Sequence, residues 1–498
     1  MASGMKTLAK ETAIYGVSSI FGKLLSWFLG LYWAFELKTI AEMGVITYSY
    51  AWIALFQVIL TYGMETGFFR FANREDEPLK VYSTAIISIV SSTLLFVVLA
   101  ITFLNPIAAS FGPSMQPRYV LMLIFILTLD VLGAIPFAFL RFSKRPLKFA
   151  FLKLLNVLLI IAFNLFFFKL APWLRNFYPE LFGWYDISNG IDYILISNVV
   201  ASLIQFLLLT PHLRIKFQFD GALLKKMLRY SYPLLILGIA GVLNQSADKM
   251  VFTWLYPDAA EAETLLGLYG QSFKIAIIMV MFTQAFRYAF EPFIFARDRE
   301  ETANSNLKSY ADASKYFLIL GLLIFLVTMG YLDIIKYLIP RNYHEGLKVV
   351  PIVMMGELFF GLYFNLSLWY KLTDKTKWGA YMSLFGLVIT LSILIVFIPH
   401  YGYMACAWAS FFANLAMMVL SYFLGQKHYP IPYNLKTALN FVVLTILLGF
   451  FMFLNFTYTA NLFLRLTLNT LIVLIYLYVT VKKELPLREI PVIGKYFK

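Results

Sequence analysis

Apolar stretches long enough to cross a bilayer as a helix recur from one end of this chain to the other. Fourteen can be read, at 12–36, 45–71, 81–104, 118–140, 149–169, 190–210, 230–255, 267–291, 312–335, 347–370, 377–398, 402–424, 437–455 and 462–481. With 61% hydrophobic and only 14% charged residues, little is left from which to build a water-facing domain. The expectation is an all-α integral membrane protein of about 14 transmembrane helices. The first stretch is long enough to stay as a span, which argues against a cleaved signal peptide. The single cysteine, Cys406, excludes an internal disulfide and a cysteine-rich metal cluster. His212, His344, His400 and His428 all fall in loops or at span ends, which argues against haem ligation or a buried histidine relay. There is no Walker sequence and no HExxH motif. We therefore expect no catalytic residue, no metal and no cofactor.

The formal net charge of +14 could point to nucleic acid, but its distribution points to the membrane. An even number of spans puts both termini on one side, and 27 of the 41 Lys and Arg lie there, in segments such as "RFSKRPLK" at 141–148. Seven lie on the other side and the remaining seven within spans. By the positive-inside rule the termini are cytoplasmic. The basic segment 211–229 is amphipathic and is expected to lie on the membrane surface.

A weak internal repeat relates "GVITYSYAW" at Gly44 to "GLYGQSFKI" at Gly267, an offset of 223 residues or six spans. "FANRED" at 71–76 and "FARDRE" at 295–300 correspond in the same way. An even offset implies two halves of like orientation, related by an axis along the membrane normal. The expected division is a six-helix bundle at 1–211, a cytoplasmic linker at 212–229, a second six-helix bundle at 230–425, appended helices 13 and 14 at 426–481 and a basic tail at 482–498.

A charge at the bilayer centre costs on the order of 3 kcal/mol, so it is usually directed at protein or a wet cavity. The bases within spans include Lys23, Arg70, Lys153, Lys249, Lys274 and Arg287, and the acids are Glu65, Asp130, Asp248, Glu291 and Glu357. Several continue polar stripes at helical spacing, among them Ser19–Lys23–Ser26, Gln57–Thr61–Glu65 and Gln284–Arg287–Glu291. Each stripe alone could serve helix packing, and Arg287 and Glu291 could neutralise each other. Stripes on spans one, two, five, seven and eight together suggest a polar cavity. Its basic excess suits phosphate or another anion. The acids are left either to pair with the bases or to bind a driving cation or proton.

The stretches "KETAIYGVSSIFGKLLSWFLG" at 10–30 and "YGMETGFFRFAN" at 62–73, with the layout of spans, resemble the polysaccharide transporter branch of the multidrug, oligosaccharidyl-lipid and polysaccharide exporter superfamily. That resemblance implies two six-helix bundles around a cavity that opens alternately to each side, moving a polyprenyl-diphosphate-linked oligosaccharide across a bacterial inner membrane, the expected location. It implies cavity bases, here Lys23, Arg70, Lys249, Lys274 and Arg287 by position, that hold the diphosphate. Other polysaccharide-assembly membrane proteins are then expected partners. Two other readings stay open: a cation-coupled multidrug antiporter, which would want an acidic cavity, and a membrane glycan polymerase or ligase, for which the outer loops are short. Because only one cysteine is present, topology is directly testable. A cysteine at Glu180 should react with an impermeant maleimide in whole cells, and one at Lys144 should react only after lysis; the reverse pattern would invert the orientation.

Overall fold

The computed structural model describes residues 20–213, 218–297, 303–373, 375 and 377–484, without the side chains of 288, 289 and 291–306. Among the described residues it is helical, with no strand, and 13 helices are long and apolar enough to cross a membrane. The stretch expected at 12–36 is described from residue 20 and is helical over 20–36 (α1). The protein is a multi-pass membrane protein of many apolar helices, as its hydropathy pattern requires. The repeated "FARDRE" lies largely outside the described residues.

The chain divides into two compact units. The first comprises Met1–Gln271 and Leu391–Cys406. It holds α1, α2 (Ile40–Thr61), α3 (Met64–Ala72), α4 (Pro78–Thr102), α5 (Leu104–Phe111), α6 (Pro117–Phe142), α7 (Pro146–Leu165), α8 (Ala171–Phe177), α9 (Gly190–Leu209), α10 (Gly221–Leu255) and the start of α11 (Ala259–Arg297). The second comprises Ser272–Thr390 and Ala407–Lys498. It holds the rest of α11, α12 (Ala303–Gly330), α13 (Leu332–Ile335), α14 (Val350–Leu366), α15 (Leu368–Leu372), most of α16 (Lys377–Tyr401) and α17 (Tyr403–His428), α18 (Leu435–Tyr458) and α19 (Leu462–Lys483).

Span two is broken. It starts with a reciprocal cap, in which Glu42 N–H donates to Thr39 Oγ1 at 3.2 Å and Thr39 N–H donates to Glu42 Oε2 at 3.3 Å. It stops where Tyr62 and Gly63 take left-handed backbone angles, φ 34° and 69°. The turn is held from outside, because Ser231 Oγ donates to Gly63 C=O at 3.3 Å and the Tyr62 hydroxyl meets Ser88 Oγ at 2.7 Å. Glycine is needed at 63 both for its φ and because a Cβ there would lie 3.1 Å from the Ser231 carbonyl oxygen. The stripe Gln57–Thr61–Glu65 read from the sequence assumed an unbroken helix. The break instead puts Glu65 in the first turn of a new one.

The basic segment expected on the membrane surface is built differently. From Gly221 it forms the first turns of the 35-residue α10, and its apolar residues Leu223 and Met227 join the core around Phe68 and Tyr82. Asp220 caps this helix, accepting from Leu223 N–H at 2.9 Å, and pairs with Lys80 Nζ at 2.9 Å. The Lys80 ammonium and the capping N–H hold the Asp220 carboxyl below the usual range. Protein helices cover the Leu223 and Met227 side of the apolar face, while Phe219 and Leu228 stay exposed.

The two repeated glycines meet. A Cβ on Gly44 would lie 1.9 Å from the Glu263 carbonyl oxygen, and one on Gly267 would lie 2.1 Å from the Ile40 carbonyl oxygen. Gly270 sits equally close to Thr47, with its Cβ position 2.5 Å from Oγ1. Shifting Ile40, Gly44 and Thr47 by the repeat offset gives Glu263, Gly267 and Gly270. The contact between α2 and the start of α11 is therefore its own image under the repeat, as a two-fold relation demands. Small residues let the two backbones approach this closely.

In the second unit α18 and α19 pack on α12. Asn469 Nδ2 donates to Gly330 C=O at 2.8 Å, the Tyr476 hydroxyl donates to Ile319 C=O at 2.8 Å, and Asn455 Nδ2 donates to Asn469 Oδ1 at 3.2 Å. Asp333 accepts from Arg465 at 2.6 Å and from Lys336 at 2.8 Å. Arg465, which a span-end position would let reach water, is tied instead.

Gly44→Val and Gly267→Val should each destabilise the protein by about 1–3 kcal/mol through overpacking. Gly241→Val, where a Cβ meets nothing within 4 Å, should be nearly neutral. Thermal unfolding in detergent reads all three, and equal midpoints would refute the close contact.

Candidate functional site

Within the first unit, α6 carries Asp130, Ala134, Phe137 and Arg141 at i, i+4, i+7 and i+11. One helix face therefore holds an acid and a base about 16 Å apart. At one end Arg141 Nη2 bonds Glu65 Oε2 at 2.6 Å. Glu65 follows the Tyr62–Gly63 break, and the unpaired N–H groups at the start of α3 favour its carboxylate. The Arg141 guanidinium also lies 5.2 Å from the Phe69 ring and 5.7 Å from the Phe149 ring. At the other end Asp130 accepts from Ser202 Oγ on α9 at 3.1 Å. Between them, Lys153 from α7 rests its Nζ 4.1 Å above the Phe137 ring.

Lys153 makes no ion pair among the described residues, yet Asp130, Glu65 and Arg141 all lie within electrostatic reach of it. The face thus reads acid, base, acid–base pair, and sums to zero charge. Such a set survives in a low-dielectric layer because each member is compensated. Its central cation is held by a ring, a softer restraint than a carboxylate, so an anion can compete for it.

A second cluster in the same unit is closed. Asp248 Oδ2 accepts from the Tyr269 hydroxyl at 2.5 Å and from Lys249 Nζ at 3.0 Å. Oδ1 accepts from Lys249 N–H at 2.9 Å and Nζ at 3.2 Å, and Cys406 Sγ donates to the Asp248 carbonyl at 3.7 Å. The carboxylate is saturated from inside the protein. Arg70 is exposed, with its guanidinium 4.1 Å over the Tyr230 ring. Lys23 is exposed on α1, next to Gly22, whose Cβ position lies 4.0 Å from Leu154 and Val157 of α7.

In the second unit two cations share one ring. Arg287 lies 4.6 Å and Lys371 Nζ 3.7 Å from the centroid of Phe364. Glu357 stands two turns before Phe364 on the same face of α14 and is partly buried, as is Lys274 on α11. The side chain of Glu291 lies outside the described residues.

Reasoning from sequence missed Arg141 and Lys371, both grouped with the basic loops that follow them. The i+11 spacing from Asp130 is the signal that could have found Arg141. Glu65→Gln and Arg141→Met should each cost on the order of 1–2 kcal/mol, between surface and buried pair values, and the double variant should cost less than their sum. Simple additivity in a double-mutant cycle would show that the pair is not coupled.

A scan against protein-family models finds no match, and a search of curated proteins finds none. Solved structures do match. The chain is similar to lipid II flippase MurJ in an inward closed conformation, with TM-score 0.69 at 16% identity, covering 94% of this chain and 98% of that one. It is similar to the MATE multidrug transporter DinF-BH, at TM-score 0.57, 13% identity and 85% and 96% coverage. An outward-facing multidrug resistance MATE transporter of the MOP superfamily matches at TM-score 0.54 and 14% identity, covering 84% and 95%. The chain therefore carries, over nearly its whole described length, the helical fold shared by the MurJ flippase and the MATE transporters of the multidrug, oligosaccharidyl-lipid and polysaccharide exporter superfamily.

Proposed function

We propose that this protein is a transporter, without covalent chemistry, that flips a polyprenyl-diphosphate-linked oligosaccharide from the cytoplasmic to the periplasmic leaflet of a bacterial inner membrane by alternating access. The observation that carries the proposal is Lys153, an intramembrane ammonium held by an aromatic ring rather than by a carboxylate. The flippase likeness adds weight, because MurJ matches more of the chain, at a higher TM-score, than the MATE structures do. Arg287 and Lys371, gathered at Phe364, supply a second cationic position. A lysine offers a point charge to a phosphate oxygen and an arginine a fork. Lys23, Arg70 and Lys274 remain proposed ligands of the headgroup. Lys249 is the weakest of the set, since releasing it would leave Asp248 uncompensated. Glu65 and Asp130 are the proposed sites for a coupling proton or sodium ion.

The second reading, a cation-coupled multidrug antiporter, is favoured by Asp130, an acid bonded by a hydroxyl rather than a base. The two readings separate on one residue. With the chromosomal gene deleted, polyprenyl-linked oligosaccharide should accumulate on the cytoplasmic side, and the wild-type gene should clear it. Lys153→Met should reach the membrane at wild-type level while export falls about tenfold or more, equivalent to about 1.4 kcal/mol. Lys153→Arg should retain much of the activity. Normal export by Lys153→Met would remove the anion site, and unchanged glycan with lost drug resistance in the deletion strain would favour the antiporter.

A further inference from the structure

The first unit contains an apolar cavity of about 270 Å³ walled by α2, α4, α5, α6 and α10. Five aromatic residues, Trp52, Phe56, Phe96, Phe111 and Trp254, line it together with aliphatic side chains. The rings brace one another: Trp52 stands 5.8 Å from Phe56, 5.6 Å from Phe111 and 5.3 Å from Trp254, and Phe56 stands 5.6 Å from Phe96. Among the described residues, no charged side chain lines the cavity. The Trp254 indole N–H is already donated to the Ser110 carbonyl at 2.9 Å, and Ser110 Oγ to the Ile107 carbonyl at 2.8 Å. The indole N–H of Trp52 is buried without a partner among the described residues.

Such a space is unfit for water, which needs two to four polar partners, and even a cavity of about 150 Å³, when apolar, stays dry and takes small apolar molecules. The volume here admits on the order of ten methylene groups. Left empty, its walls would forgo dispersion contacts on one side. Around it α4 presents Leu95, Val98 and Leu99 outward, and half of Trp254 is exposed, so the neighbouring surface is lipid-facing.

We propose that this cavity is a lipid-chain site, filled from the side by one acyl chain of a bilayer phospholipid. A cationic drug would lack an acid here. The anionic head of a lipid-linked sugar would find no base in the lining; Arg118, two residues before Val120 on α6, is paired with Asp192 at 3.2 Å, and Arg141 lies 14 residues beyond Leu127, about 21 Å along the helix. A bulk phospholipid needs neither, because its headgroup stays at the interface while the chain alone enters. The inference rests only on placement in a bilayer, and it stands or falls independently of the flippase reading.

The test uses the full-length protein in nanodiscs of phosphatidylcholine carrying a diazirine in the acyl chain. After photolysis, label should concentrate on peptides containing Trp52, Phe96 and Phe111. In Ala100→Phe or Ile124→Trp, which fill the cavity, that label should drop to the level of the general lipid-facing surface. Val98→Phe, on the outer face of α4, should leave it unchanged. Label spread evenly over lipid-facing helices in the wild type would overturn the site, whether or not the filling variants fold. Unchanged label in a folded filling variant would do the same. Polyprenyl phosphate added at equal mole fraction should not displace the label; displacement would give the cavity to an isoprenoid chain and overturn the assignment to phospholipid.

Discussion

A charge in hydrocarbon must be met by something the protein itself provides. Around that constraint the two units are organised residue by residue. Glu65 is met by Arg141, Asp130 by Ser202, Asp248 by Lys249 and Tyr269, and Asp333 by Arg465 and Lys336. Elsewhere a ring faces the cation: Phe137 under Lys153, Tyr230 under Arg70, Phe364 under Arg287 and Lys371. These two kinds of compensation differ in what they permit. A base locked to an acid is costly to withdraw, because its partner stays behind as a bare buried charge. A base resting on an aromatic face breaks no direct ion pair when it leaves. Under the proposed function, Lys153 and Arg287 are the ring-faced cations suited to a transient ligand, and the locked ones belong to the architecture.

Much of the fold was legible before any coordinate. Hydropathy specifies spans because hydrocarbon forbids an unpaired backbone, so span number and order could be read to within a few residues. The Gly44–Gly267 repeat was also visible, though only the structure shows its members packed against each other's partner carbonyls. Two things could not be read. The break at Tyr62–Gly63 depends on Ser231 and Ser88, which lie far away in sequence and hold the turn. The depth of Arg141 and Lys371 was hidden for a different reason. Each ends a helix just before a basic loop, and a linear tally of positive charge does not distinguish a guanidinium turned inward to Glu65 from one in the cytoplasm. The 221–229 segment shows the converse, a pattern that reads as surface-bound because its apolar face could as well meet lipid as Phe68 and Tyr82.

The charge ladder of the first unit has a consequence for coupling. Asp130, Lys153, Glu65 and Arg141 balance only while Lys153 stays between the two acids. If its ammonium turns to an anionic headgroup, Glu65 keeps Arg141 but Asp130 keeps only the hydroxyl of Ser202. An aspartate held by one neutral hydrogen bond in a low-dielectric layer is a poor anion, and the least costly remedy is to take up a proton or a small cation there. Headgroup capture and cation uptake would then be two halves of one event, linked through the side chain of Lys153. Release of the headgroup would return Lys153 to Phe137 and expel the cation. Under the proposed function, the requirement that the helix face stay neutral would itself be the link, and of the two proposed sites Asp130 would respond first, because Glu65 keeps Arg141.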